Sequence, residues 1–168
     1  KGTVLIFPGR TEYIEKYGGA AQAFSRHGYS SVVVDWRGQG LADRLQSDRS
    51  RGHVINFTDY QYDVQAMLQA TDTIGLPKPY YLVAHSMGGC IALRALMQKI
   101  PVQAASFSAP MWGIAFHSPA KRIMAWGLST LANPFALSEI RAPGTSSTAY
   151  VATEPFATNT LTSDAPMF

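Results

Sequence analysis

Cysteine is nearly missing from this chain: its 168 residues contain one, Cys90. That excludes an internal disulfide framework and a metal cluster built on thiolates. Charged residues are also sparse, at 15%, and the net charge is only +3. Lys and Arg are scattered, with Arg44, Arg49 and Arg51 the densest group. No basic stripe of the kind that tracks a nucleic-acid backbone is present. The basic group reads as a solvated loop in preference to an anchor for anionic membrane. No apolar run approaches the ~18 residues of a spanning helix, and no secretory leader pattern is visible. The expectation is a cytoplasmic protein, with peripheral contact at the inner membrane as its furthest extension. Four histidines show no metal-ligand spacing, so no metal and no cofactor is expected.

What is abundant is apolar: hydrophobic residues make up 46% of the chain, enough for one buried core. Thr3-Val4-Leu5-Ile6-Phe7 reads as a strand closing on Pro8-Gly9. Ile14, Tyr17, Ala21 and Phe24 predict a helix from about Tyr13 to His27, weakened by Gly18-Gly19. Ser31 to Trp36 reads as a second strand, buried on both faces. The polar stretch 37–56 reads as a long functional loop. Thr58 with Gln61 suggests a capping box, opening a helix whose face is Phe57, Tyr60, Val64, Met67, Leu68 and Thr71. A third strand over Tyr80–Ala84, a helix over Met87–Lys99 and a fourth strand over Val102–Phe107 follow. The alternating order predicts an α/β fold with a doubly wound, mostly parallel sheet.

After Ser108 the composition turns to Pro, Ala, Ser and Thr, with one helix expected over Pro119–Leu131. The expected division is a core over residues 1–108 and an incomplete cap or lid over 109–168. The chain starts at Lys1 inside a strand-like run and ends at Met167-Phe168, so both ends read as cut.

The chemistry centres on Ala84-His85-Ser86-Met87-Gly88, a small-x-Ser-x-Gly pattern between a strand and a helix. A serine at such an apex is a candidate nucleophile, because the sharp turn holds it clear of both elements. It still needs a base to remove its proton. The Met87 N–H at the start of the following helix would face a developing oxyanion, aided by the helix dipole. Pro8-Gly9-Arg10 follows what should be the adjacent strand, and its turn can aim the Arg10 N–H at the same point. Asp35-Trp36-Arg37-Gly38-Gln39-Gly40 lacks the third glycine of a dinucleotide site and the Lys-Ser/Thr of a P-loop. It reads as a structural turn, with Asp35 and Arg37 as polar anchors. His85 reads as a packing or hydrogen-bonding residue, and His27 and His53 as surface residues. His117 falls in the expected cap.

These segments together resemble the α/β-hydrolase fold and, within it, the monoacylglycerol lipase and bacterial lysophospholipase group. The resemblance rests on Pro8-Gly9-Arg10-Thr11-Glu12-Tyr13, Asp35 to Gly40, Gly52-His53-Val54, Phe57-Thr58-Asp59-Tyr60, His85 to Gly89 and Ser108-Ala109-Pro110-Met111. They run through about two-thirds of the chain, and the lysophospholipase L2-like branch is the nearest. The resemblance implies a serine hydrolase acting on carboxylic esters of lipid-like substrates, a lysophospholipid or a monoacylglycerol. It implies Ser86 as nucleophile, the Arg10 and Met87 N–H groups as oxyanion hole, and a triad in the order Ser, Asp, His. Dehalogenases and epoxide hydrolases of this fold need Asp where Ser86 stands; thioesterases and C–C bond hydrolases stay open. No catalytic Asp or His is assigned, because Asp164 is followed by no histidine. The triad acid and base are expected outside residues 1–168, and this stretch alone is expected to lack turnover. If 168 residues were the working chain, the alternative is a non-catalytic acyl- or lipid-binding remnant. Met111, Trp112, Ile114, Phe116 and Trp126 either line an acyl pocket or form plain core between cap and sheet; the sequence does not choose.

Overall fold

The structure is a computed structural model that describes residues 1–116, 118–132, 154–159 and 163–165. Two compact units divide the chain, Lys1–His117 and Ser118–Phe168. In the first unit, strands β1 (Thr3–Phe7), β2 (Ser30–Val33), β3 (Tyr80–His85) and β4 (Val102–Ser108) form one sheet in the order β2-β1-β3-β4. Every pairing is parallel. Three helices belong to this unit: α1 (Gly18–Arg26), α2 (Tyr60–Ile74) and α3 (Met87–Met97).

Alternation along the strands divides the burial between two faces. Leu5, Phe7, Tyr80, Leu82 and Ala84 point into a core completed by Tyr60, Val64, Met67 and Leu68 of α2 and by Met87, Ile91, Ala92 and Ala95 of α3. On the other face, Phe24 of α1 borders the same cleft as Val4, Tyr81 and Val83. Helices on both faces make the sheet doubly wound. The chain leaves β1 toward β2 on one side, while β3 leads to β4 on the other. The carboxyl ends of β1 and β3 therefore flank the point where the winding direction changes, the place where open α/β sheets bind ligands.

Several local expectations need correction. The second strand is Ser30–Val33, and all four of its residues are only partly buried. Its apolar run reads as buried on both faces, but among the described residues β2 pairs with β1 alone. Asp35 and Trp36 leave the ladder because their side chains serve the loops above it, as described below. The helix expected over Tyr13–His27 is broken into a 3-10 turn, Ile14–Tyr17, and α1. The Ile14 N–H donates to Asp35 Oδ1 (3.0 Å), so the segment is anchored to a loop at its start. The cap before α2 lies upstream of Thr58 and Gln61: the Asn56 N–H donates to Asp59 Oδ2 (3.1 Å), ahead of a 3-10 turn over Phe57–Asp59. Gln61 is buried and donates from Nε2 to the Ile91 carbonyl (3.2 Å), tying α2 to α3. Strand β4 is exposed over Gln103–Ser106, and no strand lies beyond it among the described residues.

In the second unit, α4 spans Pro119–Ala132, and a 3-10 turn covers Phe156–Thr158. Of the segment expected to form a cap, His117 and residues 133–153, 160–162 and 166–168 lie outside the described residues.

Candidate functional site

Ser86 joins β3 directly to α3 with φ +49° and ψ −118°. This is a costly conformation for a residue bearing a Cβ, and such strain persists only where the surroundings over-determine it. The surroundings here are explicit. The Ser86 N–H donates to the Ser108 carbonyl at the end of β4 (3.1 Å), and the Ser86 carbonyl accepts from Gly89 and Met111 N–H groups (both 2.9 Å). The backbone is thus held on both sides. The Ser86 hydroxyl makes no capping bond to α3, which removes the ordinary reason for a serine at a helix start. Thr11 (φ +61°) and Ala109 (φ +42°) also lie in the left-handed region. They follow β1 and β4, so three of the four described non-glycine residues at positive φ lie beyond the carboxyl ends of three adjacent strands; the fourth, Lys99 (φ +60°), follows α3.

Parallel pairing of Phe7 with Ala84 brings Pro8–Thr11 alongside His85–Met87. The contact is close: a Cβ on Gly88 would lie 2.2 Å from the Phe7 carbonyl oxygen and 2.5 Å from that of Pro8. Only glycine lets the first turn of α3 approach β1 this closely.

The loop after β1 is bonded group by group. Trp36, fully buried, donates from Nε1 to the Pro8 carbonyl (2.9 Å). The Gly9 N–H donates to Glu12 Oε2 (2.5 Å). Gln39, also buried, donates from Nε2 to the Gly9 carbonyl (3.2 Å) and accepts the Thr11 N–H on Oε1 (2.7 Å). The Thr11 hydroxyl donates to the Arg10 carbonyl (2.6 Å). Among the described residues the Arg10 N–H meets no acceptor. Met87 opens α3, where the first N–H groups have no carbonyl one turn back within the helix. Two N–H groups beyond the ends of neighbouring strands, those of Arg10 and Met87, thus have no acceptor among the described residues.

Glu12 anchors this loop from below. It accepts from the Gly9 N–H, from Tyr17 Oη (2.5 Å) and from Lys16 Nζ. Burial alone would raise its pKa, but the hydrogen bonds from Lys16, Tyr17 and Gly9 outweigh it and hold the carboxyl below its ordinary value. The Tyr17 phenol is pushed up, by burial first and then by the Glu12 carboxylate that accepts its proton. A carboxylate favoured by folding stabilises the fold above its unfolded pKa. That contribution disappears as pH falls through the lower, folded value. Glu12→Gln is therefore expected to lower Tm at neutral pH, with the gap to the unaltered protein closing in the acid range below about pH 4. Melting curves from pH 7 to pH 2.5 measure this; a gap that stays constant would remove the charge from the explanation.

The remaining sequence expectations divide as follows. Asp35 accepts the Ile14 and Leu41 N–H groups (3.0 and 2.9 Å), joining the loops after β1 and β2. Arg37 makes a two-pronged ion pair with Asp63 of α2 (2.8 Å at the shortest). Both are polar anchors. The His85 ring is occupied through Nδ1 by the Ser108 carbonyl (3.0 Å), and its Nε2 lies 4.0 Å from Glu12. His27 sits exposed with its ring on the Ala23 carbonyl (2.9 Å), and His53 is half-buried. Of the expected pocket residues, Met111 and Trp112 lie beside the elbow: Met111 bonds Ser86, and Trp112 Nε1 donates to the Gly89 carbonyl (3.3 Å) while its ring meets Phe107 edge-on. Ile114 and Phe116 are exposed in the first unit; Trp126 is exposed in the second. A cleft of about 560 Å³ runs along β2 and α2, and Ser86 does not line it. Among the described residues, no cluster of three or more His, Cys, Asp or Glu side chains could hold a metal ion.

Sequence reading missed the clamp formed by Glu12, Trp36 and Gln39. Its signal was present in part, since Gln39 and Trp36 stand in a turn that reads as structural. What was not visible is that the turn's side chains close on the loop after β1.

Three comparisons bear on this arrangement. Residues 1–166 match the family described as serine aminopeptidase, S33. Lysophospholipase L2 of Escherichia coli K12 is 38% identical over 127 residues, covering 73% of this chain and 37% of that protein. The phospholipase YtpA of Bacillus subtilis is 32% identical over 96 residues, covering 57% of this chain and 34% of its own. A crystal structure of a soluble variant of monoglyceride lipase from Saccharomyces cerevisiae, bound to a substrate analogue, superposes with a TM-score of 0.58 at 25% identity. The overlap covers 79% of this chain and 43% of that one. A probable hydrolytic enzyme from Pseudomonas aeruginosa shares the fold at 18% identity and a TM-score of 0.53, covering 76% of this chain and 44% of that one. The chain thus spans well under half the length of the proteins it matches. It belongs to the family described as serine aminopeptidase, S33, and has the α/β-hydrolase fold.

Proposed function

We propose that residues 1–168 carry the nucleophile and oxyanion hole of a serine esterase acting on lysophospholipids. The observation that carries this reading is the pairing of an uncapped, strained Ser86 with two unspent N–H groups, those of Arg10 and Met87. Ser86 Oγ attacks the ester carbonyl carbon while a base outside residues 1–168 takes its proton. The carbonyl oxygen becomes an oxyanion between the Arg10 and Met87 N–H groups. Its collapse expels the alcohol, which leaves with that proton. Water then cleaves the acyl-enzyme by the same steps, releasing the fatty acid and restoring the serine.

The lysophospholipid is favoured over the monoacylglycerol by the names of the bacterial relatives and by charge. Arg10 is exposed, with no ion pair among the described residues, so it offers a positive charge beside the hole to an anionic headgroup. The reading extends to a cytoplasmic protein that touches the inner membrane peripherally. Support comes from α4, where Lys121 and Arg122 adjoin exposed Ile123, Met124 and Trp126.

The test uses the longest natural chain carrying these residues. A fluorophosphonate, which reacts only with an activated serine, is expected to label Ser86, and the protein is expected to release fatty acid from a lysophospholipid faster than from a monoacylglycerol. Preference for the neutral ester would reassign the substrate. No labelling at all would leave the acyl-binding alternative.

A further inference from the structure

We propose that Gln39 is a positioning residue that sets the direction of the Arg10 N–H. This deepens, and rests on, the reading of Ser86 as nucleophile.

A trans peptide unit points its carbonyl and its N–H in opposite directions. The Gly9 carbonyl and the Arg10 N–H belong to one such unit. Gln39 Nε2 holds that carbonyl at 3.2 Å, and by doing so turns the Arg10 N–H to the opposite side. The next peptide unit contains the Arg10 carbonyl and the Thr11 N–H. Gln39 Oε1 takes that N–H at 2.7 Å, and the Thr11 hydroxyl takes the carbonyl at 2.6 Å. One side-chain amide therefore fixes both peptide planes that flank Arg10. The same bond holds Thr11 at φ +61°, a conformation rare for a β-branched residue.

The amide leaves no freedom in this arrangement. A donor faces the Gly9 carbonyl and an acceptor faces the Thr11 N–H, so its orientation is determined by its partners. Burial removes competing water, with Gln39 only 6% exposed. The backbone of Gln39 is held as well, since its N–H donates to the Trp36 carbonyl (2.9 Å) and its carbonyl accepts from Ala42 (3.0 Å). Trp36 and Glu12 bind the preceding unit at its carbonyl and N–H, which leaves the Gly9–Arg10 plane to Gln39. Neither hydrogen bond of Gln39 reaches the reacting atoms. It acts through the loop.

The test again uses the longest natural chain carrying residues 1–168. Gln39→Leu removes both bonds. Gln39→Glu keeps an acceptor for Thr11 but sets a carboxylate against the Gly9 carbonyl, and serves if the leucine variant does not fold. Each is expected to reduce kcat, fluorophosphonate labelling and the affinity of a trifluoromethyl ketone by about 10²-fold, the effect of losing one oxyanion donor. KM and the affinity of an unreactive ether analogue should stay within about threefold, because only the tetrahedral species uses the aimed N–H. A folded variant with kcat within about threefold of the unaltered protein overturns the proposal. So does a loss of ether binding as large as the loss of kcat. Failure of the unaltered protein to label at Ser86 overturns the underlying reading, and the positioning role with it.

Discussion

In the longest natural chain carrying residues 1–168, Ser86→Gly is expected to give a protein that is more stable than the original and inactive. The serine is held at φ +49° and ψ −118°. Strain of this kind costs about 1–3 kcal/mol, while glycine at an ordinary position costs about 0.5–1 kcal/mol in unfolded-chain entropy. The balance is a gain of up to about 2.5 kcal/mol, a rise in Tm of a few degrees at mid-range. No capping bond is sacrificed, because the hydroxyl makes none to α3. The rate should fall by about 10⁴–10⁶-fold, as it does when a nucleophile that works through a base is removed. Ser86→Ala separates the two effects. It removes the same oxygen but keeps the Cβ, so it should be equally inactive with Tm nearly unchanged. Turnover above about 1% of the original in either variant contradicts the assignment of Ser86. A glycine variant no more stable than the alanine variant contradicts the strain argument.

The difference between what is legible in the sequence and what is not follows from the range of the interactions. Ser86 and Met87 are legible because strand, turn and helix are adjacent along the chain, and a small-x-Ser-x-Gly pattern marks the junction. Arg10 is reached by placing a turn after the neighbouring strand, which needs one assumption about strand order. The clamp needs more. Trp36 bonds a residue 28 positions away, and Gln39 bonds residues 28 and 30 positions away. No local periodicity encodes those pairs, and a Gly-Gln-Gly turn looks the same whether its glutamine faces solvent or a loop. The partial burial of β2 is invisible for a related reason: Val32-Val33 is as apolar as a fully buried strand, and only the sheet order shows that β2 pairs with β1 alone among the described residues. The loops after β1 and β2 are also joined by Asp35, which accepts from both. The proposed oxyanion geometry therefore depends on two loops held together, and neither loop sets it alone.

Gly88→Ala should break that geometry with a single methyl group. The added Cβ would lie 2.2 Å from the Phe7 carbonyl oxygen, 2.5 Å from that of Pro8 and 2.7 Å from the Phe7 carbonyl carbon. All three are backbone atoms, so no side-chain rotation relieves the overlap. Phe7 is fully buried and ends a strand paired on both sides. Pro8 is held through its carbonyl by Trp36. The remaining response is for the first turn of α3 to lift away from β1. That movement loosens the packing of Met87 and Ile91 and separates the Met87 N–H from the Arg10 N–H. The expected cost is about 3 kcal/mol or more, at the upper end for overpacking because the neighbours cannot yield. The accompanying loss of rate is about 10²-fold or more, the effect of displacing one oxyanion donor. Gly18→Ala is the matched control. Gly18 opens α1 at φ −55°, and a Cβ there meets nothing within 4 Å. The same substitution should be neutral or stabilising by up to about 1 kcal/mol, through helix propensity and a less flexible unfolded chain. Denaturant unfolding of both variants, with ester turnover measured in parallel, reads the difference. If Gly88→Ala unfolds with Gly18→Ala and keeps its turnover, the close approach of α3 to β1 is not what holds the two N–H groups together.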